Sequence, residues 1–312
     1  MRKPHLLLAF ALGVAALGFV SRADAAEYGF STYGLGSSAF GAGATPPPGT
    51  YVTTVIGYYS GETRATIDFG GQIFTAGAKA KFFQSALSGL YVPEATLFGG
   101  KVGIALTIPA GHVDITAGIT GPGGATLTRQ TDGWGLGDIN GRIQLGWQSG
   151  TFAHLIYVQG VAPTGRYKVG FEPIVGLHRP GIDTGWSFTW EEPTSKFQFN
   201  GTFGFTFNFE NDKTDYQSGH EFHFEWAVGK EVSQGLVLGI VGYNYRQLDG
   251  DSGSGARLGP YKGSVDAIGA GAVYTTIVGT TPLIFNLRHY EEFDPRNRMD
   301  GRMTIFTGTL KF

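Results

Sequence analysis

Two short stretches carry residue types that could do chemistry. Gly250-Asp251-Ser252-Gly253 has the look of the nucleophile stretch of a trypsin-like protease, and His220-Glu221-Phe222-His223 has that of a zinc-binding helix motif. Neither has what its chemistry needs. A serine nucleophile requires a histidine base and an orienting carboxylate in matching contexts, and none accompanies Ser252. A zinc helix requires histidines four apart on one helical face, whereas His220 and His223 are three apart and point to opposite faces of a strand. The plainer reading makes Gln247–Gly263 a Gly/Ser-rich loop, in which Asp249 and Asp251 could hold a surface Ca²⁺, although the loop offers no further carboxylate. Gly133, Gly135, Gly137 and Gly141 are spaced like a nucleotide-binding loop but lack its strand–turn–helix context, and read as glycines that ease sheet curvature. No catalytic residue, metal site or cofactor is expected.

A third set is more informative because it recurs. Asp138, Asn140, Arg142, Gln144, Gln198, Asn200, His223, Glu225, Asn286 and Arg288 sit at every second position of segments whose intervening residues are apolar. Lys196 to Glu210 is the clearest case. Phe197, Phe199, Gly201, Phe203, Phe205, Phe207 and Phe209 form one face, and Gln198, Asn200, Thr202, Gly204, Thr206 and Asn208 the other. Period-two alternation specifies a strand with one apolar and one polar side. Strands of soluble sheets usually run about 5–6 residues, whereas a tilted membrane strand needs about 9–11 in the hydrocarbon. The same alternation runs through Asp138–Trp147, Ile182–Trp190, Glu221–Val228 and Leu283–Arg288. Ala65 to Leu97 alternates poorly.

Composition agrees. The 312 residues include 51 Gly, 24 Phe, 14 Tyr and no Cys, which excludes disulfides and thiolate chemistry. A net charge of -2 offers no basic footprint, so nucleic acid is not an expected partner. Arg2 and Lys3 before the apolar Leu6–Val20, then Ala23-Asp24-Ala25, predict a cleaved signal peptide over residues 1–25. A barrel hides its hydrophobicity in alternate residues, which suits a mean hydropathy near zero.

Connections alternate between short (Phe98–Lys101, Gln148–Thr151, Glu191–Lys196, Glu231–Gly235, Thr276–Pro282) and long (Ser60–Ser85, Gly121–Gly135, Thr164–Gly181, Asn211–His220, Gln247–Gly263, Glu292–Gly301). Short periplasmic turns against longer outer loops are the asymmetry of outer membrane barrels. The expected fold is therefore all-β, a transmembrane antiparallel β-barrel of about 12 strands over residues 51–312, with both termini periplasmic. A secreted sandwich or solenoid is the rival, and no fixed-period repeat supports the latter. Trp134, Trp147, Trp190 and Trp226 read as an interfacial girdle. The terminal strand ending in Phe312 reads as a signal to the barrel-assembly machinery. Residues 26–50, rich in Gly, Ala and Ser, are either a periplasmic leader or a plug in the lumen.

Pro46-Pro47-Pro48-Gly49, Gly135-Leu136-Gly137-Asp138, Ala162-Pro163-Thr164-Gly165-Arg166-Tyr167, Tyr216-Gln217-Ser218-Gly219, Asp251-Ser252-Gly253-Ser254-Gly255 and the stretch from Glu292-Phe293 to Gly301 are spread along most of the chain. In order and spacing they resemble a family of outer membrane transporters named for the meta-pathway of phenol degradation. The resemblance implies a barrel tied to uptake of aromatic or other hydrophobic compounds. The expectation is an outer membrane channel, in contact with membrane lipid, for passive uptake of such small molecules, with the ten polar residues above lining its lumen. Those residues could instead form salt bridges that fill a narrow barrel. The competing functions are a barrel enzyme of lipase or protease type, and a purely structural barrel.

Overall fold

The computed structural model describes residues 27–312 apart from 70, 71, 171 and 258; the predicted signal peptide lies outside the described residues. The strands are β1 (Gly49–Phe69), β2 (Gln72–Val92), β3 (Thr96–Leu97), β4 (Gly100–Thr120), β5 (Thr126–Leu136), β6 (Ile139–Ser149), β7 (Phe152–Ala162), β8 (Gly181–Glu191), β9 (Phe197–Asn208), β10 (Glu221–Ser233), β11 (Leu236–Gln247), β12 (Ser264–Val278), β13 (Thr281–Arg296) and β14 (Asp300–Lys311). Each pairs antiparallel with its neighbour, and β1 pairs with β14, Tyr51 opposite Lys311, so the sheet closes on itself. The two-residue β3 only decorates the β2–β4 turn, and β5 and β6 lie end to end along β4, so the wall has twelve staves. Closure follows from the solvent: an edge in lipid would leave a row of backbone groups unpaired.

The junction of β5 and β6 is a bulge with a visible cause. Ala110 faces Leu136, yet Thr107 faces Asn140, so the β5–β6 side carries one extra residue. Pro109 sits in β4 opposite that irregularity. It has no N–H to give the ladder, and its carbonyl accepts from Gly137 N at 2.9 Å. The β6–β7 pairing reaches only to Ile139 and Ala162, so β5 has a strand beside it on its β4 side alone. Its other edge is met by the 163–180 loop, through Arg166 N to Leu136 O at 2.7 Å and Arg166 Nη1 to Trp134 O at 2.5 Å.

The barrel is taller on one side. β1, β2 and β4 run 21 residues each, about 70 Å at the usual rise, against 11 residues, about 36 Å, for β7 and β8. Ser60–Ser85 and Gly121–Gly135, expected as long loops, are therefore extended hairpins, and the Glu292–Gly301 connection is mostly strand as well. These extensions rise above the hydrocarbon, where no lipid demands alternation, which accounts for the irregular reading of the upper part of Ala65–Leu97. The genuine long loops are 163–180, 209–220 and 248–263.

Where lipid does act, the faces sort as the sequence specifies. Phe197, Phe199, Phe203, Phe205, Phe207 and Phe209 are exposed on the outside of β9, while Asn200, Thr202, Thr206 and Asn208 are buried within. Trp134 and Trp190 are exposed on the outer surface, and the Trp147 indole donates to Phe98 O in the β2–β4 turn. Gly49 and Phe312 share the short-turn end, but Glu27 lies among the long loops, bonded to Asn211, Thr214 and Ser218, so the two ends of the described chain are at opposite ends of the barrel. The reason is that residues 27–48 run the length of the interior before β1 begins.

Phe203, midway along β9, tests the lipid assignment. Phe203→Arg is expected to cost about 2–4 kcal/mol, the depth-dependent penalty of a cation on the lipid face. Denaturant unfolding in phospholipid vesicles should show that loss, and a change within 0.5 kcal/mol would contradict it.

Candidate functional site in the barrel interior

Residues 27–48 descend along the inner faces of β8, β9 and β10, bonded at nearly every step. Ser31 Oγ donates to Glu221, Thr32 Oγ1 to Asn208 Oδ1 at 3.0 Å, and the Tyr33 ring stacks on His223 with centroids 3.6 Å apart. Lower down, Gly36 N and Ser38 N donate to the two carboxylate oxygens of Glu225, at 2.8 and 2.5 Å. From the facing wall Arg288 Nη1 donates to the carbonyls of Gly36 and Ser37, both at 2.8 Å. A carboxylate and a guanidinium thus grip one turn from opposite sides. Charge-assisted bonds of this kind are the strong ones. Below it Gly41 N reaches Asn200 Oδ1, Gly43 N reaches Thr189 Oγ1, and Gln144 Nε2 reaches Thr45 Oγ1. The turn favours Gly36, whose φ of +76° is left-handed and beside which the end of Met303 would have to move to admit a Cβ.

The ten residues expected at the lumen divide by what they touch. Gln144, Asn200, Glu225 and Arg288 hold the N-terminal segment, and Gln198 supports Asn200. His223 Nε2 meets Asp183 Oδ2 at 3.0 Å, both buried, beneath the Tyr33 ring. Asp138 faces the interior from the bulge and accepts from Gly165 N and Leu177 N, pinning the 163–180 loop. The Arg142 guanidinium lies 3.9 Å over the Tyr157 ring. Asn140 lines the large cavity described below, and Asn286 Oδ1 is buried with no partner. Asp183 and Glu221 belong to the same buried set and share its alternation, so the pattern could have named them. Tyr33 and Arg179 could not be found that way, since neither lies on a strand.

At the top, Glu27 is held by Asn211 Nδ2 at 2.7 Å, Thr214 Oγ1 at 2.8 Å and Tyr167 Oη at 3.2 Å. Arg179 ties this cluster to the N-terminal segment through Ser218 Oγ and Phe30 O. Burial raises the Glu27 carboxyl above its ordinary 4.5, against those hydrogen bonds and the Arg179 charge. In the 248–263 loop Asp251 accepts from Tyr216 Oη, Gly219 N and Gln247 Nε2, and Ser252 pairs through its backbone with Gln217. The protease-like stretch is a structural tie between two loops.

Between residues 30–35 and the tall side of the wall lies a cavity of about 380 Å³. Phe30, Phe82, Val113, Ile174 and Met303 give it an apolar lining, and Tyr59, Tyr243, Glu292 and Arg298 a polar end.

Closed staves, a lipid-facing aromatic outer surface and a filled polar interior define a bacterial outer membrane β-barrel. The sequence profile of the family described as "Putative MetA-pathway of phenol degradation" matches residues 62–306, and the chain belongs to that family. Among solved structures, an outer membrane channel from Pseudomonas putida F1 superposes with a TM-score of 0.60 at 14% identity, covering 87% of this chain and 98% of that one. The transport unit of the autotransporter AIDA-I from Escherichia coli gives 0.43 at 12% identity over 96% and 97%. No curated protein matches the sequence.

Two outcomes are expected of this interior. Glu225→Ala leaves the Gly36 and Ser38 amides without their acceptor, at about 1.5–3 kcal/mol for each bond to a charged group. Hydrogen exchange should speed up across residues 34–44 while β9 and β11 keep their protection; unchanged protection in 34–44 would refute the grip. For Glu27 the folded pKa is raised, so its stabilisation is fully present below about pH 4.5 and lost as pH rises through the raised value. Exchange of residues 27–33, corrected for intrinsic rate, should therefore increase between pH 4 and 8, and Glu27→Gln should flatten that profile.

Proposed function

We propose that this protein is an outer membrane channel for passive uptake of small aromatic or otherwise hydrophobic compounds, with its short turns periplasmic and its long loops outside. The observation that supports it most is the cavity. At about 380 Å³ it is of small-molecule size, and it is lined largely by apolar side chains between residues 30–35 and the tall side of the wall. Residues 27–48 act as a plug in this reading. They occupy the polar side of the lumen, so a hydrated solute finds its hydrogen-bonding partners already taken, whereas an apolar ring gains from leaving water at about 25 cal/mol per Å². Gln144, Asn200, Glu225 and Arg288, with Gln198 and His223 behind them, then serve to seat the plug, and Asn140 remains on the path itself. The family's name points to aromatic substrates in the same direction. Phe312, exposed at the end of β14, suits recognition by the assembly machinery.

Planar-bilayer recording with a simple aromatic such as phenol tests the proposal. The full chain should show small conductance steps that phenol blocks in a concentration-dependent way. A variant lacking residues 27–44 should conduct severalfold more and lose most of the block. Silence from both proteins, with no solute effect, would leave a structural barrel.

A further inference from the structure

The polar end of the cavity contains a buried guanidinium with no acceptor in direct contact; the Glu292 carboxylate acts on it only from beyond 4.0 Å. Arg298, in the turn between β13 and β14, is 9% exposed, its guanidinium lies 4.5 Å over the Tyr245 ring, and its Nε has no hydrogen-bond partner. Among the described residues no carboxylate comes within 4.0 Å of it. Glu292, the acidic group that shares the cavity, is already engaged at both oxygens, by Tyr59 Oη at 2.9 Å and Tyr243 Oη at 2.7 Å. A guanidinium has five donors and no acceptor, and burying one unpaired is costly. What the site lacks is therefore an anionic acceptor with planar geometry.

The rest of the cavity says what should be attached to it. Away from Arg298 the lining turns apolar and aromatic, with Phe30 set edge-on to Phe82 at 4.6 Å between centroids. Such rings accommodate another aromatic favourably. Arg298 also borders a second, polar pocket of about 360 Å³ whose rim carries Glu62, Arg64, Asn297 and Asp300 at the long-loop end. The guanidinium thus stands where a wet outer pocket meets the apolar interior.

We infer that this cavity binds aromatic monocarboxylates, with the carboxylate on Arg298 and the ring against Phe30 and Phe82. The inference rests on the cavity being the solute site and narrows its ligand class. A bidentate carboxylate supplies the missing acceptor. A neutral aromatic of the same shape fills the apolar part and leaves Arg298 unpaired.

Isothermal titration calorimetry of the purified full chain in detergent, with benzoate and benzyl alcohol as probes, decides it. Benzoate should bind the wild type at least tenfold more tightly than benzyl alcohol. Arg298→Gln should abolish that preference, and Arg298→Lys should keep part of it. Equal affinity of the two probes for the wild type overturns the inference while leaving hydrophobic uptake standing. Binding of neither probe overturns both. The wild-type comparison stands on its own if a variant fails to fold.

Discussion

Every peptide N–H and C=O inside the hydrocarbon must find its partner within the protein, because lipid offers none. The pairing of β1 with β14 answers that demand, and much else follows from it. Closure fixes the register of every stave, and register fixes parity. Parity sends Phe203 and Phe205 to lipid and Asp183, Glu225 and Arg288 to the centre. Even the irregularities obey the rule. Pro109 is tolerated within β4 because the bulge at Gly137 falls opposite it, and the edge of β5 that no strand covers is met by Arg166.

Closure creates a second problem, since the inward polar residues must be satisfied in a narrow space. Water could do this in a wide barrel. Here residues 27–48 do it, and they do it largely with backbone. Glu225 receives two amides and Arg288 reaches two carbonyls of the same short turn, so the segment is held through groups that any sequence possesses. Side-chain identity matters mainly where space runs out, as at Gly36, or where a ring is needed to cover the His223–Asp183 pair, as at Tyr33.

That division explains what could be read from the sequence. β6, β8, β9 and β10 were legible because lipid on one side and a polar interior on the other impose alternation over a long run. The upper parts of β1, β2 and β5 were not, because above the membrane neither face is constrained, and strands there resemble loops. Which face of β6, β8, β9 and β10 turns inward was legible, whereas what lies against that face was not. A Gly/Ala/Ser-rich segment bonded through its backbone has no period and no motif, so nothing in it announces the position of Glu27 among Asn211, Thr214 and Tyr167. Arg298 was silent for a related reason. It lies in a turn, and only its burial beside the already occupied Glu292 marks it out.

The arrangement also separates holding from passing. A channel must bind its solute well enough to admit it and loosely enough to release it. Were the buried charges of β8–β10 open to the cavity, an anionic or polar solute would meet several strong sites in a row and stay. With those groups taken by residues 27–48, the described lining of the cavity retains one buried guanidinium without an acceptor in contact, Arg298, and it stands where the cavity meets the second pocket. Beyond it the contacts are apolar, non-directional and individually weak. In the proposed reading a single recognition step at the rim is thus followed by a surface on which a ring can slide, and the polar interior that dominates the sequence works by being unavailable.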